Sequence, residues 1–149
     1  MIVVIQRVKS AKVEIERKTT GEIGRGILVL LGVEKSDGKE EVAYCARKTA
    51  ELRIFPDNEH KMNLSLLEIS GEALVVSQFT LPAKIAKGRR PSFDNAMPGK
   101  PAEDLYLEFV EEMRKLGIKT ETGEFGAMMD VSLVNDGPVT FILESRNRE

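Results

Sequence analysis

The sequence is poor in the two residues that most often carry metal and acid–base chemistry. Its 149 residues include one cysteine, Cys45, and one histidine, His60. This excludes an intrachain disulfide and a zinc site built from several cysteine and histidine ligands within one chain. A catalytic triad would have to use His60, which lies in the polar stretch Pro56–Lys61. We interpret His60 as an exposed turn residue and expect any enzyme made from this chain to work without an imidazole base.

Long apolar runs and a strong net charge are also missing. The longest apolar run, Ile27–Val33, has seven residues, whereas a membrane span needs about 18–20. The segment Met1–Arg7 lacks the basic-then-apolar layout of a signal peptide. We therefore expect a cytoplasmic protein that does not enter the membrane. The net charge of −2 gives no general attraction to nucleic acid.

Positive charge is nevertheless concentrated in one segment, residues 84–100. A single acid, Asp94, stands there against five cations: Lys84, Lys87, Arg89, Arg90 and Lys100. A basic loop on a mildly acidic protein can contact phosphates at one place. A solvated loop without a partner is the other interpretation, and the sequence leaves both open.

The composition, 42% hydrophobic and 31% charged, is typical of a globular protein. The length predicts a single domain over residues 1–149. Apolar and β-branched stretches predict about seven strands, including two short ones over 131–133 and 139–143 that are joined by a turn. The expected fold is α+β, with a largely antiparallel, curved and barrel-like sheet and two main helices.

The two helices are predicted to begin after Ser36 and at Pro101, where acidic residues follow in the first turn. Cys45 falls on the apolar stripe of the first helix, which favours a core position over a role as a nucleophile. Residues 145–149 are expected to be loose.

One segment suited to chemistry at a carbonyl group is Ser77–Leu81, which reads Ser-Gln-Phe-Thr-Leu. It brings hydroxyl and amide side chains to the end of a predicted strand. Backbone N–H groups left unpaired there can stabilise an oxyanion, and Thr80 can position a water or attack directly. A strand end that only pairs its own hydroxyls is the simpler interpretation and stays open.

The other segment is Asn135–Pro138, whose residues favour a turn. A cis Gly137–Pro138 bond, a form found for about 5–6% of bonds before proline, would aim two backbone carbonyls in one direction. Such a pair could hold an ammonium group, and an ordinary turn is the alternative. No phosphate-binding glycine motif and no carboxylate cluster at metal spacing is present. We therefore expect neither a cofactor nor a metal.

These segments give the chain a resemblance to the D-aminoacyl-tRNA deacylases, the D-tyrosyl-tRNA deacylase family. The first family motif is Ser77–Leu81, and the second, Asn-x-Gly-Pro-Val-Thr, is present as Asn135–Thr140. Further matching stretches are Val4–Val8, Leu28–Val33, Leu52–Phe55, Lys61–Ser65 and Lys87–Phe93. The resemblance runs from end to end in one order, without departure at the motif positions.

The resemblance implies an enzyme that hydrolyses the ester joining a D-amino acid to the 3′ end of tRNA. Glycine mischarged on tRNA-Ala is an implied second substrate, because a pocket that rejects an L side chain by clash cannot reject an amino acid without one. It also implies a homodimer. Gly137–Pro138 of one subunit, in the cis form, would reach into the active site of the other and read the chirality of the substrate.

The resemblance also implies roles for individual residues. The residues implied to line the catalytic pocket and face the ester are Ser77, Gln78, Phe79 and Thr80. Lining residues nearby would be Met129 and Phe93, and Arg7 would help to hold the Gly-Pro segment. Because the ester is already reactive, Thr80 is expected to orient groups rather than to form an acyl-enzyme.

Contacts to tRNA phosphates are predicted for four cations of the basic loop: Lys84, Lys87, Arg89 and Arg90. Two alternatives from other classes stay open. One is a tRNA-binding module without catalysis. The other is an enzyme that acts on a small D-amino-acid ester or amide.

Overall fold

Eight strands and two helices make up the computed structural model, which describes residues 1–147. In chain order they are β1 (Ile2–Ile15), β2 (Lys18–Ile23), β3 (Gly26–Gly32), α1 (Lys39–Glu51), β4 (Phe55–Pro56), β5 (Met62–Leu64), β6 (Glu72–Ser77), α2 (Gly99–Lys115), β7 (Lys119–Thr122) and β8 (Asp130–Glu144). A 3-10 turn, Ser145–Asn147, follows β8. The predicted α+β fold with two main helices is confirmed.

The main sheet has six strands in the order β2-β1-β3-β6-β7, with β8 also paired to β1. Strand β1 runs antiparallel to β2, β3 and β8. The pairs β3–β6 and β6–β7 are parallel, because a helix lies between the two strands of each pair and lets the chain cross over. The sheet is therefore mixed, and β7 is a strand that the sequence patterns do not predict.

The sheet curves until its two edge strands meet, as in a barrel. A Cβ atom on Gly21 of β2 would lie 2.4 Å from the carbonyl oxygen of Thr122 in β7. Strand β3 is buried on both faces because it separates two hydrophobic clusters. Ile27 and Val29 belong to the cluster that includes the helices, whereas Leu28 belongs to the smaller cluster with Leu74.

Both helices pack an apolar stripe against the sheet. Helix α1 starts after Gly38, and its fully buried Cys45 confirms the core prediction for this residue. Helix α2 starts two residues before Pro101 and buries Tyr106 and Phe109. Within the part of the chain that is described, neither helix is long and apolar enough to cross a membrane.

The prediction of two short strands joined by a turn at residues 135–138 is wrong. Strand β8 continues through these residues and stays paired to β1 on both sides, with Val8 opposite Asn135 and Gln6 opposite Thr140. Arg7 alone therefore faces residues 136–139, which bulge out of the ladder. The turn-forming residues produce a bulge because the same partner strand holds both flanks.

The two ends of the described chain meet at the start of α1. The α-amino group of Met1 donates to Glu34 Oε2 at 3.0 Å, to Ser145 Oγ at 2.7 Å and to the Asp37 carboxylate. Ser145 is buried, so the expectation of a loose segment from residue 145 is wrong at this position. Residues 148 and 149 lie outside the described residues. His60 is exposed in a turn with a φ of 63°, as predicted.

Candidate active site

A cleft of about 580 Å³ opens at the carboxyl end of β6. Its other walls come from the end of β3, the start of α2 and the segment 125–129. Most of the lining is apolar, with contributions from Leu31, Val76, Met97 and Met129. A cleft of this size with a mostly apolar lining is typical of a pocket that binds a small organic group.

The predicted catalytic segment lies at the edge of this cleft. Ser77, Gln78 and Phe79 line it, whereas Thr80 is exposed and does not belong to the lining. Gln78 Nε2 donates to Thr80 Oγ1 at 2.6 Å, so the two side chains form one unit. The Thr80 oxygen accepts this bond, which leaves its own O–H proton available for another acceptor.

The backbone of this segment leaves donors open where β6 ends. Gln78 N–H donates to the carbonyl oxygen of Leu31 at 2.8 Å, the last bond that ties the segment to β3. Within residues 1–147, no hydrogen bond joins the N–H of Phe79 or Thr80 to another protein group. Two adjacent free N–H groups beside a cleft can stabilise a developing oxyanion.

Two aromatic rings form one rim of the cleft. Phe79 and Phe93 lie with their ring centroids 5.3 Å apart at an interplanar angle of 52°. They are 60% and 41% exposed, which is high for phenylalanine. Phe93 comes from the long loop after β6, so the structure brings together two residues that the family resemblance assigns to the same pocket.

Met129 forms the opposite wall, and its place depends on Gly123. A Cβ atom on Gly123 would lie 2.5 Å from Met129 Sδ, so any side chain there would displace the thioether. Gly32 leaves similar room behind the predicted catalytic segment, where a Cβ would lie 2.8 Å from Leu81 Cβ. Sequence reasoning missed both glycines, because only the tertiary structure shows what approaches them.

The wall is supported from the core by Tyr106. Its ring packs on Phe125 with a centroid distance of 5.7 Å, and its hydroxyl donates to the carbonyl oxygen of Val75 at 2.8 Å. Burial raises the pKa of Tyr106 to about 12. The protonated hydroxyl thus ties α2 to β6 at Val75, behind the cleft wall.

Gly137 and Pro138 do not line this cleft. Both are exposed in the bulge of β8, and their peptide bond is cis. The nearly buried Arg7 supports the bulge from behind: its Nε lies 3.2 Å from the Asp136 carbonyl oxygen and 3.1 Å from Asp136 Oδ2. Its Nη1 donates to the carbonyl oxygen of Ile54 at 2.7 Å. Arg7 thus contacts the residue next to Gly137, where the resemblance places its supporting role.

The four predicted tRNA-binding cations lie on one hairpin. Lys84 and Ser92 pair through two backbone hydrogen bonds of 2.8 and 3.0 Å, which close the loop that carries Lys87, Arg89 and Arg90. All four side chains are exposed. Lys100 stands apart in α2, where its bond to Asp104 at 2.8 Å raises its pKa. No group of three or more His, Cys, Asp or Glu residues among those described could hold a metal ion.

Comparisons with known proteins agree on one family. Residues 4–144 match a family model described as D-Tyr-tRNA(Tyr) deacylase. The chain is 59% identical over 146 residues to a D-aminoacyl-tRNA deacylase of Thermosipho africanus, covering 98% of each chain. It is 61% identical to one of Desulfatibacillum aliphaticivorans, covering 98% of this chain and all of the other.

Two solved structures share the fold. One, described as a c-Myc DNA unwinding element binding protein, is 42% identical with a TM-score of 0.91, over 97% of this chain and 98% of that one. The other, described as a probable eukaryotic D-amino acid tRNA deacylase, is 19% identical with a TM-score of 0.82, over 95% and 97% of the two chains. At that identity the likeness concerns the fold alone.

Proposed function

The chain belongs to the D-aminoacyl-tRNA deacylase family and is a hydrolase of that class, and on this premise we propose how its residues perform the reaction. The substrate ester enters the cleft at the end of β6. The observation that carries this assignment is the pair of unbonded N–H groups of Phe79 and Thr80 beside the cleft. We assign them the role of stabilising the carbonyl oxygen of the ester as it gains negative charge when water attacks.

Thr80 acts as an orienting group in this mechanism. Because its oxygen accepts from Gln78, its proton is directed to a water or to the substrate. Its hydrogen-bond partner is an amide, which is not a base that would turn the hydroxyl into a nucleophile. The attacking water adds to the carbonyl carbon and loses a proton, the ester C–O bond breaks, and the leaving ribose oxygen takes up a proton. The products are the free D-amino acid and tRNA with a free ribose hydroxyl. The neighbouring 2′-OH of the ribose assists as a proton relay.

The active site is completed by a second copy of the chain. Gly137 and Pro138 are exposed and remote from the lining of their own cleft. They belong to a strand that exposes four large apolar side chains: Leu133, Val134, Phe141 and Ile142. Exposed apolar side chains grouped along one strand are suited to an interface with a partner. In the homodimer, the Gly137–Pro138 segment of each subunit enters the cleft of the other.

The surroundings of Gly137 support a role for this residue in binding the substrate rather than in stabilising the fold. A Cβ atom there would meet only Asn135 Oδ1, at 3.9 Å, so the chain itself has room for a side chain. We propose that the glycine leaves room for a group that approaches from outside the chain. We assign this to the α-amino group and the α-carbon of the substrate, which the backbone carbonyls of the segment read.

In this arrangement the enzyme selects D-aminoacyl groups because the site excludes L side chains. An L side chain would point at the Gly137–Pro138 backbone and clash, whereas a D side chain would point away. Glycine has no side chain to exclude, so glycine mischarged on tRNA-Ala is a second substrate. Met129 and Phe93 shape the remaining walls.

The basic hairpin holds the tRNA. Lys84, Lys87, Arg89 and Arg90 are exposed, and the hairpin continues into the cleft-lining Phe93. This places phosphate-binding charge next to the reacting end of the substrate. A cytoplasmic location follows from a tRNA substrate. The same hairpin would also serve the alternative function, nucleic-acid binding without catalysis, and one structural relative is described as a DNA unwinding element binding protein.

The experiment that tests the proposal is release of amino acid from matched D- and L-tyrosyl-tRNA by the purified protein, with a chelator present. We expect release from the D form only. Release from neither would favour a binding module or another ester. Release from both would refute the assignment of chirality to the Gly137–Pro138 segment.

A further inference from the structure

The side chain of Asn135 closes the bulge that carries Gly137 and Pro138. Its Nδ2 donates to the carbonyl oxygen of Arg7 at 2.7 Å and to the carbonyl oxygen of Val139 at 3.2 Å. The first bond reaches across to β1, and the second spans the bulge from one end to the other. We infer that Asn135 is a positioning residue that sets where the Gly137–Pro138 carbonyls project. This inference rests on the proposed function.

The register of β8 explains why the bulge needs additional hydrogen bonds to define its position. The ladder to β1 is interrupted between Val8–Asn135 and Gln6–Thr140, so residues 136–139 have no regular partners there. A segment that leaves a ladder is free to shift unless other bonds define it. Asn135 is the last residue paired with β1 before the bulge and Val139 is the last residue of the bulge, and one amide group joins them.

The chemistry of the side chain fits this position closely. The two acceptors are both carbonyl oxygens, so a group with two donors on one atom is required. An asparagine amide provides this at the reach of a short side chain, whereas aspartate has only acceptors and serine has one donor. Arg7 supports the same bulge from its buried side, where it binds Asp136, whereas Asn135 connects the two ends of the bulge.

Asn135 is therefore expected to contribute to selectivity more than to stability. Asn135 is itself exposed, so its replacement leaves the packing of the core intact. Its replacement would nevertheless let the reading carbonyls move, and a displacement of about 1 Å in a positioning group can cost on the order of 100-fold in rate. Asn135 should therefore affect the discrimination of D from L more than it affects folding.

The test uses full-length protein and the variants Asn135→Asp, Asn135→Ser and Asn58→Asp. Asn58→Asp makes the same chemical change at an exposed turn residue and is the matched control. For each, kcat and KM are measured on D- and L-tyrosyl-tRNA, and folding is followed by thermal unfolding. We expect Asn135→Asp to lower the ratio of D to L activity at least about tenfold, through kcat rather than KM. Asn135→Ser should lie between it and the native protein.

The inference is overturned if folded Asn135→Asp keeps the native ratio within about twofold. Should Asn135→Asp not fold, the milder Asn135→Ser decides, and an unchanged ratio in that variant also overturns the inference. Failure of the proposed function looks different. In that case the native protein itself would not discriminate between the D and L substrates.

Discussion

The segment Ser77–Leu81 and the segment Asn135–Val139 both contain the family's motif residues, yet their surroundings differ. The first ends a strand whose preceding residues are buried in the core, and it lines a cleft of its own chain. The second bulges from an exposed strand, is held from behind by Arg7 and Asn135, and does not line the cleft at the end of β6. The groups that we propose for catalysis are thus anchored by the fold, whereas the groups that we propose for selectivity are presented outward.

Substitution of Gly137 should give the largest effect and tests the outward-facing segment directly. Gly137→Ala should reduce D-tyrosyl-tRNA hydrolysis about 100-fold or more, because the added methyl group stands where the substrate approaches. Stability should change by no more than about 0.5 kcal/mol, since the chain leaves room for the methyl group.

The matched control is Gly24→Ala, because a Cβ at Gly24 has nothing within 4 Å, so this position also has room for a methyl group, and it does not line the cleft. Activity and melting temperature are measured for both variants. If Gly137→Ala retained full activity, the proposal that this segment contacts the substrate would be refuted.

Neutralising the basic hairpin should weaken tRNA binding and leave selectivity intact. A variant with glutamine at Lys84, Lys87, Arg89 and Arg90 should bind tRNA about tenfold more weakly at low salt, and its binding should depend less steeply on salt because fewer counterions are released. The ratio of D to L hydrolysis should not change, because these side chains do not line the cleft that we propose for the amino acid.

The control for this variant neutralises four exposed cations of the helices: Lys39, Arg47, Lys48 and Lys115. Binding titrations over a range of salt concentrations compare the two. An equal reduction of affinity in both would mean that overall charge, and not the hairpin, attracts tRNA.

Thr80→Ala should have a smaller effect if Thr80 orients groups. We expect activity within about tenfold of the native protein, because the backbone N–H groups that we propose to stabilise the oxyanion remain. Single-turnover kinetics measure the rate, and mass spectrometry searches for an acyl group on Thr80 in the native protein. Complete loss of activity in a folded variant, or a trapped acyl-threonine, would make Thr80 a nucleophile instead.

Tyr106→Phe should give the smallest effect and should act on stability alone. Loss of the hydrogen bond to the Val75 carbonyl costs about 1 kcal/mol of unfolding free energy. Hydrolysis at neutral pH should be unchanged, since the hydroxyl lies behind the cleft wall.

The same variant tests the raised pKa of Tyr106. Because the folded-state pKa is about 12 and the ordinary value is 10.0, the neutral hydroxyl stabilises the fold fully at pH values below 10.0. This stabilisation is lost as the pH rises through the folded-state pKa, at up to about 1.4 kcal/mol per pH unit. Denaturant unfolding from neutral to strongly alkaline pH should show this decline in the native protein and not in Tyr106→Phe. Parallel curves would refute the raised pKa.

Local patterns predicted most of the elements but not their connections in space. The helices followed from Ser36 and Pro101, and the core position of Cys45 followed from helical spacing. The strand β7 was missed because Lys119–Thr122 is short and polar, and only its parallel pairing with β6 makes it a strand. The turn formers at 135–138 led to a wrong prediction, because propensity does not say whether a turn reverses the chain or bulges out of a ladder.

Residue identity and order were enough to establish the family, the motif residues and the lack of a histidine base beyond His60, because these are properties of the linear chain. Which of those residues share a cleft emerged only from the folded molecule. Packing brings Phe93 to Phe79, lays Met129 over Gly123 and leaves Gly137 facing outward. Such distances arise from contact between segments far apart in the chain, which no local pattern encodes.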